Sequence, residues 1–420
     1  MRVLVIGRGG REHAIVWALS RSPRIGKLYC APGNAGIAQL AECVAIAENQ
    51  FEELAAFAKR EEIDLVFVGP DDPLSEGIVD YLEERGIRAY GPRRNAAEIE
   101  GSKVFSKQLL KTYNIPTAAY EAFDDYEQAL AYVRSQPLPI VIKADGLAAG
   151  KGVIVAQTLE EAEEGLRGIM VDGRFGRSGS RVVIEEFLTG QEMSLLSFVD
   201  GTVVRPMVPS QDHKQVYDGD KGPNTGGMGT YSPVPHIPAS VVEEAIETIV
   251  KPTAEAMVKE GRPFRGVLYA GLMLTEQGPK TIEFNARFGD PETQVLLPRL
   301  ETDLLEIVLA TLDGTLGDLD IRWSDEAAVC VILASGGYPE SYPKGLPITG
   351  LAEVKDALVF HAGTARKDGE IVTDGGRVLG VVGRGRDIAE ARQAAYAEAD
   401  KIRFEGKHCR TDIASKALQA

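Results

Sequence analysis

The sequence predicts an α/β protein of several domains that opens on a parallel sheet. In residues 1–100, short apolar runs alternate with turns and helical stretches. The chain has 420 residues, more than one hydrophobic core ordinarily serves, which points to two to four domains. The last hundred residues change character and read as short strands with one closing helix. Hydrophobic residues at 44% and charged residues at 26% are an ordinary globular balance.

The first strand is 2–6 (RVLVI), ended by glycines, and a helical pattern covers 12–20. Further strands at 27–30, 63–68 and 87–90 end in APGNAG, GPDDPL and GPRR. Apolar runs of this kind, each followed by a turn and a helix, imply parallel strands covered by helices on both faces. Ligands of such sheets sit outside the carboxyl ends of the strands. Here those ends carry GRGGRE (7–12), APGNAG (31–36) and GPDDPL (69–74), three loops whose free N–H groups suit an anion. A dinucleotide fingerprint is not met. Its third glycine position holds Glu12 after Gly7 and Gly9, and Tyr29, Cys30 and Ala31 stand where a ribose-binding acid belongs.

A helix over 102–113 is ended by Pro116. Residues from about 123 to 189 read as a small insert, whose centre, PIVIKADGLAAGKGVIVA (139–156), looks like two strands around a glycine-rich turn. Residues 201–232 read as a long irregular stretch, a kind of loop that usually carries function. A helix over 239–260 precedes two strands, VLYAGLMLT and PKTIEFNAR, joined by an E-Q-G turn. The expected domains are 1–101, 102–325 with a subdomain at about 123–189, and a β-rich 326–420.

The net charge of −16 argues against a nucleic-acid binder and places any phosphate site in a local basic pocket. Cys30, Cys43, Cys330 and Cys409 form no C-x-x-C pair and read as reduced, mostly buried thiols. No run of about 18 apolar residues suggests a membrane span, and the N-terminus lacks a leader pattern, so a cytoplasmic location is expected.

Four segments carry chemistry. KADGLAAGKG (143–152) is not a Walker loop, because three residues rather than four separate Gly146 from Gly150, and Lys151 is followed by Gly152 and a strand. It reads as a hairpin able to close over phosphates, with Lys143 on its first strand and Lys151 in the loop. In TIEFNAR (281–287), strand alternation puts Thr281, Glu283, Asn285 and Arg287 on one face. Glu283 and Asn285 offer hard oxygens to Mg²⁺, and Arg287 a fork for phosphate or carboxylate. RVVIEEFLTGQE (181–192) ends in a segment able to meet an adenine edge, with Glu192 for ribose hydroxyls. SQDHK (210–214) precedes a glycine run, GPNTGGMG, and makes Asp212 the candidate for the ammonium of an amino-acid substrate. Each segment taken alone also fits an ordinary polar loop or strand edge.

In order, these parts resemble the ATP-grasp superfamily of carboxylate–amine ligases. GGREHA, APGNAG, EGSK, IVIKADGLAAGKGV, SQDHK, GPNTGGMG, YAGLM, EFNARFGDPE and the tail motifs HAGT and GGRVL together resemble the glycinamide ribonucleotide synthetase family over essentially the whole chain. The resemblance implies a Rossmann-like N-terminal domain, a central ATP-grasp domain with a mobile lid and a small β-rich C-terminal domain. It also implies the reaction, a step of de novo purine biosynthesis. ATP phosphorylates the carboxylate of glycine, and the amine of 5-phosphoribosylamine attacks the acyl phosphate. Lys103, Lys143 and Lys151, with Gly152, would contact ATP phosphates; Glu185, Phe187 and Leu188 would line the adenine site, and Glu192 the ribose. Glu283 and Asn285 would hold Mg²⁺ or Mn²⁺. Arg287 and Asp290 would position substrate and acyl phosphate, and Gly10, Arg11, Asn34 and Gly36 would help hold phosphoribosylamine. A monomer with small-molecule substrates and no obligate protein partner is implied. Three positions depart from the family pattern: Arg8 for a small or polar residue, Asp71 for Glu, and no metal acid on the YAGLMLT strand. Rival readings are a carboxylase-type ligase with another carboxylate and a nucleotide-binding regulator without turnover.

Overall fold

A computed structural model describes residues 1–419. Its N-terminal sheet has five parallel strands in the order Glu42–Cys43, Lys27–Pro32, Arg2–Gly7, Leu65–Val68, Ala89–Tyr90. The expected strands are present, and the two-residue strand Glu42–Cys43 is an addition. The first helix, Gly10–Ser20, begins two residues before the pattern suggested, because Glu12 turns back to accept a hydrogen bond from the Gly9 N–H at 2.9 Å. That buried carboxylate explains two of the glycines. A Cβ at Gly7, where φ is +134°, would lie 2.2 Å from Glu12 Cγ, and one at Gly69 would lie 2.5 Å from its Oε1.

The insert is a four-stranded antiparallel sheet in the order Tyr120–Phe123, Val182–Glu186, Ile140–Ala144, Val153–Ala156. Helices Tyr126–Ser135 and Leu159–Met170 bury Leu130, Val133, Leu166 and Ile169 against Ile142 and Ile184 in a core of its own. A second antiparallel sheet runs Val203–Pro206, Gln191–Asp200, Arg265–Thr275, Gly278–Asn285.

Residues 201–232 are not the irregular stretch expected. They contain the strands Val203–Pro206, Gln211–Asp212, Gln215–Tyr217, Lys221–Asn224 and Gly229–Ser232. Gly229–Ser232 joins a sheet with Gln211–Asp212, Ala327–Ala334, Arg377–Gly385 and Leu358–His361. Its partner strand lies some hundred residues away in sequence, so no local pattern announces it, yet buried backbone needs those bonds. The C-terminal region therefore shares its sheet with the central one.

The helix expected over 239–260 is Ala239–Ala245 and Lys251–Lys259 joined by a wide π-type turn, Ile246–Val250, just before Pro252. Proline lacks the N–H that a regular turn would use. A β-bulge interrupts the pairing of Arg265–Thr275 with Gly278–Asn285: Gly271 pairs with Glu283, and Leu272 with Thr281. Thr281 therefore falls on the face opposite Glu283 and is fully buried, which corrects the simple alternation. Among the described residues no helix is long and apolar enough to cross a membrane. Of the four free thiols, Cys30 and Cys330 are buried, but Cys43 is exposed.

N- and C-terminal regions meet at His13, whose Nδ1 accepts the His361 N–H at 2.7 Å. Burial pulls His13 down to about 3 and His361 to about 4, so both stay neutral. A Cβ on Gly36 would lie 2.3 Å from the His361 ring and 2.7 Å from His13. Gly36→Ala is expected to destabilise by about 1–3 kcal/mol through overpacking, read as a lowered thermal midpoint.

Candidate active site

At the carboxyl edge of the parallel sheet, the Arg11 N–H donates to Asp290 Oδ2 (3.2 Å) and its guanidinium to Glu12 (2.9 Å) and to the Phe288 carbonyl (3.3 Å). The first glycine loop is thereby fastened to the end of the Glu283 strand. The Asn34 amide donates to the carbonyls of Arg8 and His361, both at 2.8 Å, and its oxygen accepts the N–H groups of Gly36 and Ile37 at 3.0 Å. The Asn34 side chain thus shapes its loop, which leaves its backbone to face a ligand. Gly10 and Gly36 are likewise sites of close packing, against Gln294 and His361.

One of the expected phosphate lysines, Lys143, meets a buried acid together with Lys107. Glu185 Oε1 lies 3.2 Å from Lys143 Nζ and 3.3 Å from Lys107 Nζ. Lys143 also donates to the Ile282 carbonyl (3.3 Å), and Lys107 to Thr117 Oγ1 (2.6 Å). The Glu185 carboxylate is therefore directed at these lysines. Burial pulls the Lys107 ammonium down to about 8, against the pull of Glu185. Lys103 donates to the Gly146 carbonyl at 3.1 Å, and burial lowers it too. Lys151 is exposed in the hairpin loop, and Gly152 is packed so closely that a Cβ would lie 2.7 Å from that of Ala148. Phe187 is 38% exposed for so large an apolar ring, and Leu188 is half-buried beside it. Glu192 stands 3.7 Å from Lys214.

The Glu283 carboxylate makes no hydrogen bond or ion pair among the described residues. Burial pushes its carboxyl up, but Lys214, Lys143, Lys103 and Arg287 outweigh that and hold it below the ordinary range. Asn285 Oδ1 has only a long contact from Arg287, at 3.4 Å. Arg287 pairs with buried Glu100 at 2.9 Å, and Glu100 also accepts the Ala286 N–H at 2.8 Å. Asp290 accepts from Gln294 at 2.8 Å and lies 3.5 Å from Arg377. Arg377 also donates to the carbonyls of Gly226 (2.9 Å) and Asp290 (3.0 Å), tying the glycine run to this corner.

Asp212 lies against Glu292. Burial, then Glu292 and Glu192, raise the Asp212 carboxyl well above its usual range, against Lys214. One oxygen of Glu292 accepts from Tyr269 at 2.8 Å, and the other is buried without a partner. The carboxylates of Glu192, then those of Asp212, Glu283 and Glu292, raise Lys214 against its burial.

Sequence reasoning missed Lys107, Glu100, Tyr269, Glu292, Lys214 and Arg377. Lys107 follows Lys103 by one helical turn, a spacing that could have marked it. Glu292 and Arg377 lie inside FGDPE and GGRVL but had been given no role.

Domain models of phosphoribosylglycinamide synthetase match the chain in series: the N domain over 1–100, the ATP-grasp (A) domain over 101–293 and the C domain over 328–416. The chain belongs to the phosphoribosylglycinamide synthetase family. A phosphoribosylamine–glycine ligase of Halalkalibacterium halodurans is 54% identical over 100% of this chain and 97% of its own. The crystal structure of the Thermotoga maritima phosphoribosylamine–glycine ligase superposes with a TM-score of 0.87 at 36% identity, covering 98% of this chain and 100% of that one. The biotin carboxylase domain of Hydrogenobacter thermophilus 2-oxoglutarate carboxylase, in complex with MgADP and bicarbonate, gives a TM-score of 0.74 at 16% identity over 97% and 91% of the two chains. That likeness is one of fold. The α/β class and the ATP-grasp architecture expected from the sequence hold for this member of the synthetase family.

Proposed function

We propose that this chain is an ATP-dependent ligase that joins glycine to 5-phosphoribosylamine, giving glycinamide ribonucleotide, ADP and phosphate in purine biosynthesis. The observation that carries the reading is Glu283, a carboxylate without a bond of its own, among the cations of Lys214, Lys143, Lys103 and Arg287. Such a place suits a metal-bound polyphosphate. The full-length kinship with phosphoribosylamine–glycine ligases supplies the substrates.

The chemistry turns a poor electrophile into a good one. The glycine carboxylate attacks the γ-phosphoryl group, ADP leaves, and the amine of phosphoribosylamine displaces phosphate from glycyl phosphate. Such transfers need position and charge rather than a protein nucleophile. Lys103, Lys143, Lys151 and the Gly152 backbone would take the ATP phosphates, joined by Lys107. Phe187, Leu188 and the backbone of Glu185 would line the adenine, and Glu192 the ribose. Asp212, with Glu292, would receive the glycine ammonium. Arg287 and Asp290 would orient the reacting carboxylate, and Arg11 with the Gly10, Asn34 and Gly36 backbone would hold the phosphoribosylamine. Glu283, whose carboxylate is unengaged, and Asn285, whose oxygen has only the long Arg287 contact, offer oxygens from one strand that fit Mg²⁺ or Mn²⁺. Among the described residues no three His, Cys, Asp or Glu side chains gather as a metal site, so nucleotide oxygens and water would complete the shell. The ion would neutralise charge on the phosphates and polarise the transferring group.

The same reading divides the chain into 1–101 for the amine substrate, 102–325 for the nucleotide with 123–189 as its lid, and 326–420 closing the site, in a monomeric cytoplasmic enzyme. The test is ADP release with fresh phosphoribosylamine, with and without glycine. Glycine-dependent release with an equal yield of glycinamide ribonucleotide is expected, and release that answers instead to another carboxylate would replace the named substrate. Asp212→Asn is expected to raise KM for glycine about tenfold or more, as loss of a hydrogen bond to a charged group does, with KM for ATP little changed in the same steady-state assay.

A further inference from the structure

The helix Lys103–Thr112 already has its own cap: Ser102 Oγ accepts from the Phe105 N–H at 3.1 Å. A second group nevertheless arrives there from the lid. Asp145 lies two residues past Lys143, just beyond the strand Ile140–Ala144, and is 7% exposed. Its Oδ1 accepts from the Val104 N–H at 2.9 Å and from Ser102 Oγ at 3.0 Å, and its Oδ2 pairs with Arg181 at 2.6 Å. Its backbone makes the same two connections. Its carbonyl accepts from the Lys103 N–H at 3.1 Å, and its N–H donates to the Arg181 carbonyl at 3.0 Å. One residue thus joins the helix that carries Lys103 and Lys107, the strand that carries Lys143, and the start of Val182–Glu186, the strand that carries Glu185. Behind it opens a cleft of about 700 Å³, lined by Ser102, Asp145 and Arg181 with Arg94, Glu98 and Arg262. On that side water, not packed side chains, would fill the gap if the carboxylate were removed.

We propose that Asp145 is a positioning residue for nucleotide binding, which sets the lysines of the helix and of the lid strand at one spacing around Glu185 while touching no substrate itself. Charge-assisted bonds to a helix N-terminus and to an arginine give it the stiffness for this. The proposal rests on the assignment of Lys103, Lys107 and Lys143 to ATP phosphates.

The test is titration of ADP by calorimetry, which needs neither glycine nor phosphoribosylamine. Asp145→Ala is expected to weaken ADP about tenfold, and on a Lys107→Ala background to add less than about twofold, because groups acting as one unit are not additive. Asp145→Asn keeps an oxygen for Val104 and should recover most of the affinity. Arg181→Gln, at a half-exposed position, should weaken ADP about threefold with an unchanged thermal midpoint, and it carries the test if Asp145→Ala does not fold. Wild-type affinity in Asp145→Ala, or in Arg181→Gln where that variant carries the test, would overturn the proposal. So would a full tenfold loss repeated on the Lys107→Ala background, or an Asp145→Asn as weak as Asp145→Ala. A wild-type protein that bound no ADP would instead overturn the nucleotide reading on which it rests.

Discussion

Replacing Glu283 with alanine is expected to lower glycine-dependent ADP release by about 10³-fold or more while the thermal midpoint stays within a few degrees. The size follows from what the carboxylate does. A metal clamp on a transferring phosphoryl group supplies several kcal/mol of transition-state stabilisation, and about 4 kcal/mol is a factor near 10³. The fold should survive because the Glu283 side chain has no hydrogen bond or ion pair to lose among the described residues. Its removal even relieves the burial of a charge, although Lys214, Lys143, Lys103 and Arg287 then face one another with less compensation. Raising Mg²⁺ or Mn²⁺ should recover little of the activity, since Asn285 alone would remain as a protein donor. Turnover near that of the wild type would show that the metal strand is misassigned. A cooperative loss of folding would show that Glu283 is structural.

That Glu283 and Asn285 share one face was legible because strand alternation is a local rule, and both lie beyond the bulge that displaces Thr281. The parallel sheet was legible for the same reason, each strand being an apolar run closed by its own turn. What stayed hidden depends on distant partners. The strand Gly229–Ser232 exists because Ala327–Ala334 lies beside it. Glu100 matters because the chain returns, 187 residues later, to place Arg287 at 2.9 Å. The resemblance alone makes Asn34 one of the residues that would hold phosphoribosylamine. Only the fold shows that the His361 carbonyl, from the other end of the chain, takes its amide. The pairing of Glu185 was hidden for the same reason. Its place at a strand end is local, but the two buried lysines that face its carboxylate come from other elements.

Those lysines yield the second large effect, which carries a pH signature. Lys107→Met is expected to lower kcat/KM for ATP by about 10²-fold, the loss usual for one preorganised donor at a developing charge. KM for glycine should move far less. The variant leaves Glu185 paired with Lys143 at 3.2 Å, so the acid is not stranded. The wild type should also show a limb near pH 8. Burial pulls the Lys107 ammonium down to about 8, so the free protein holds the charged form below that pH and loses it above. Polyphosphate prefers the charged form. As pH rises through about 8, kcat/KM for ATP should therefore fall, approaching about tenfold per unit, because that ratio reports the free enzyme. In the nucleotide complex the phosphates raise the same ammonium, so the limb in kcat should lie at higher pH or be absent. Lys107→Arg keeps a charge that does not titrate in this range, and the limb near 8 should vanish from its profile. If the limb survives in Lys107→Arg, another group titrates there. If Lys107→Met uses ATP as the wild type does, the lysine serves only to neutralise Glu185.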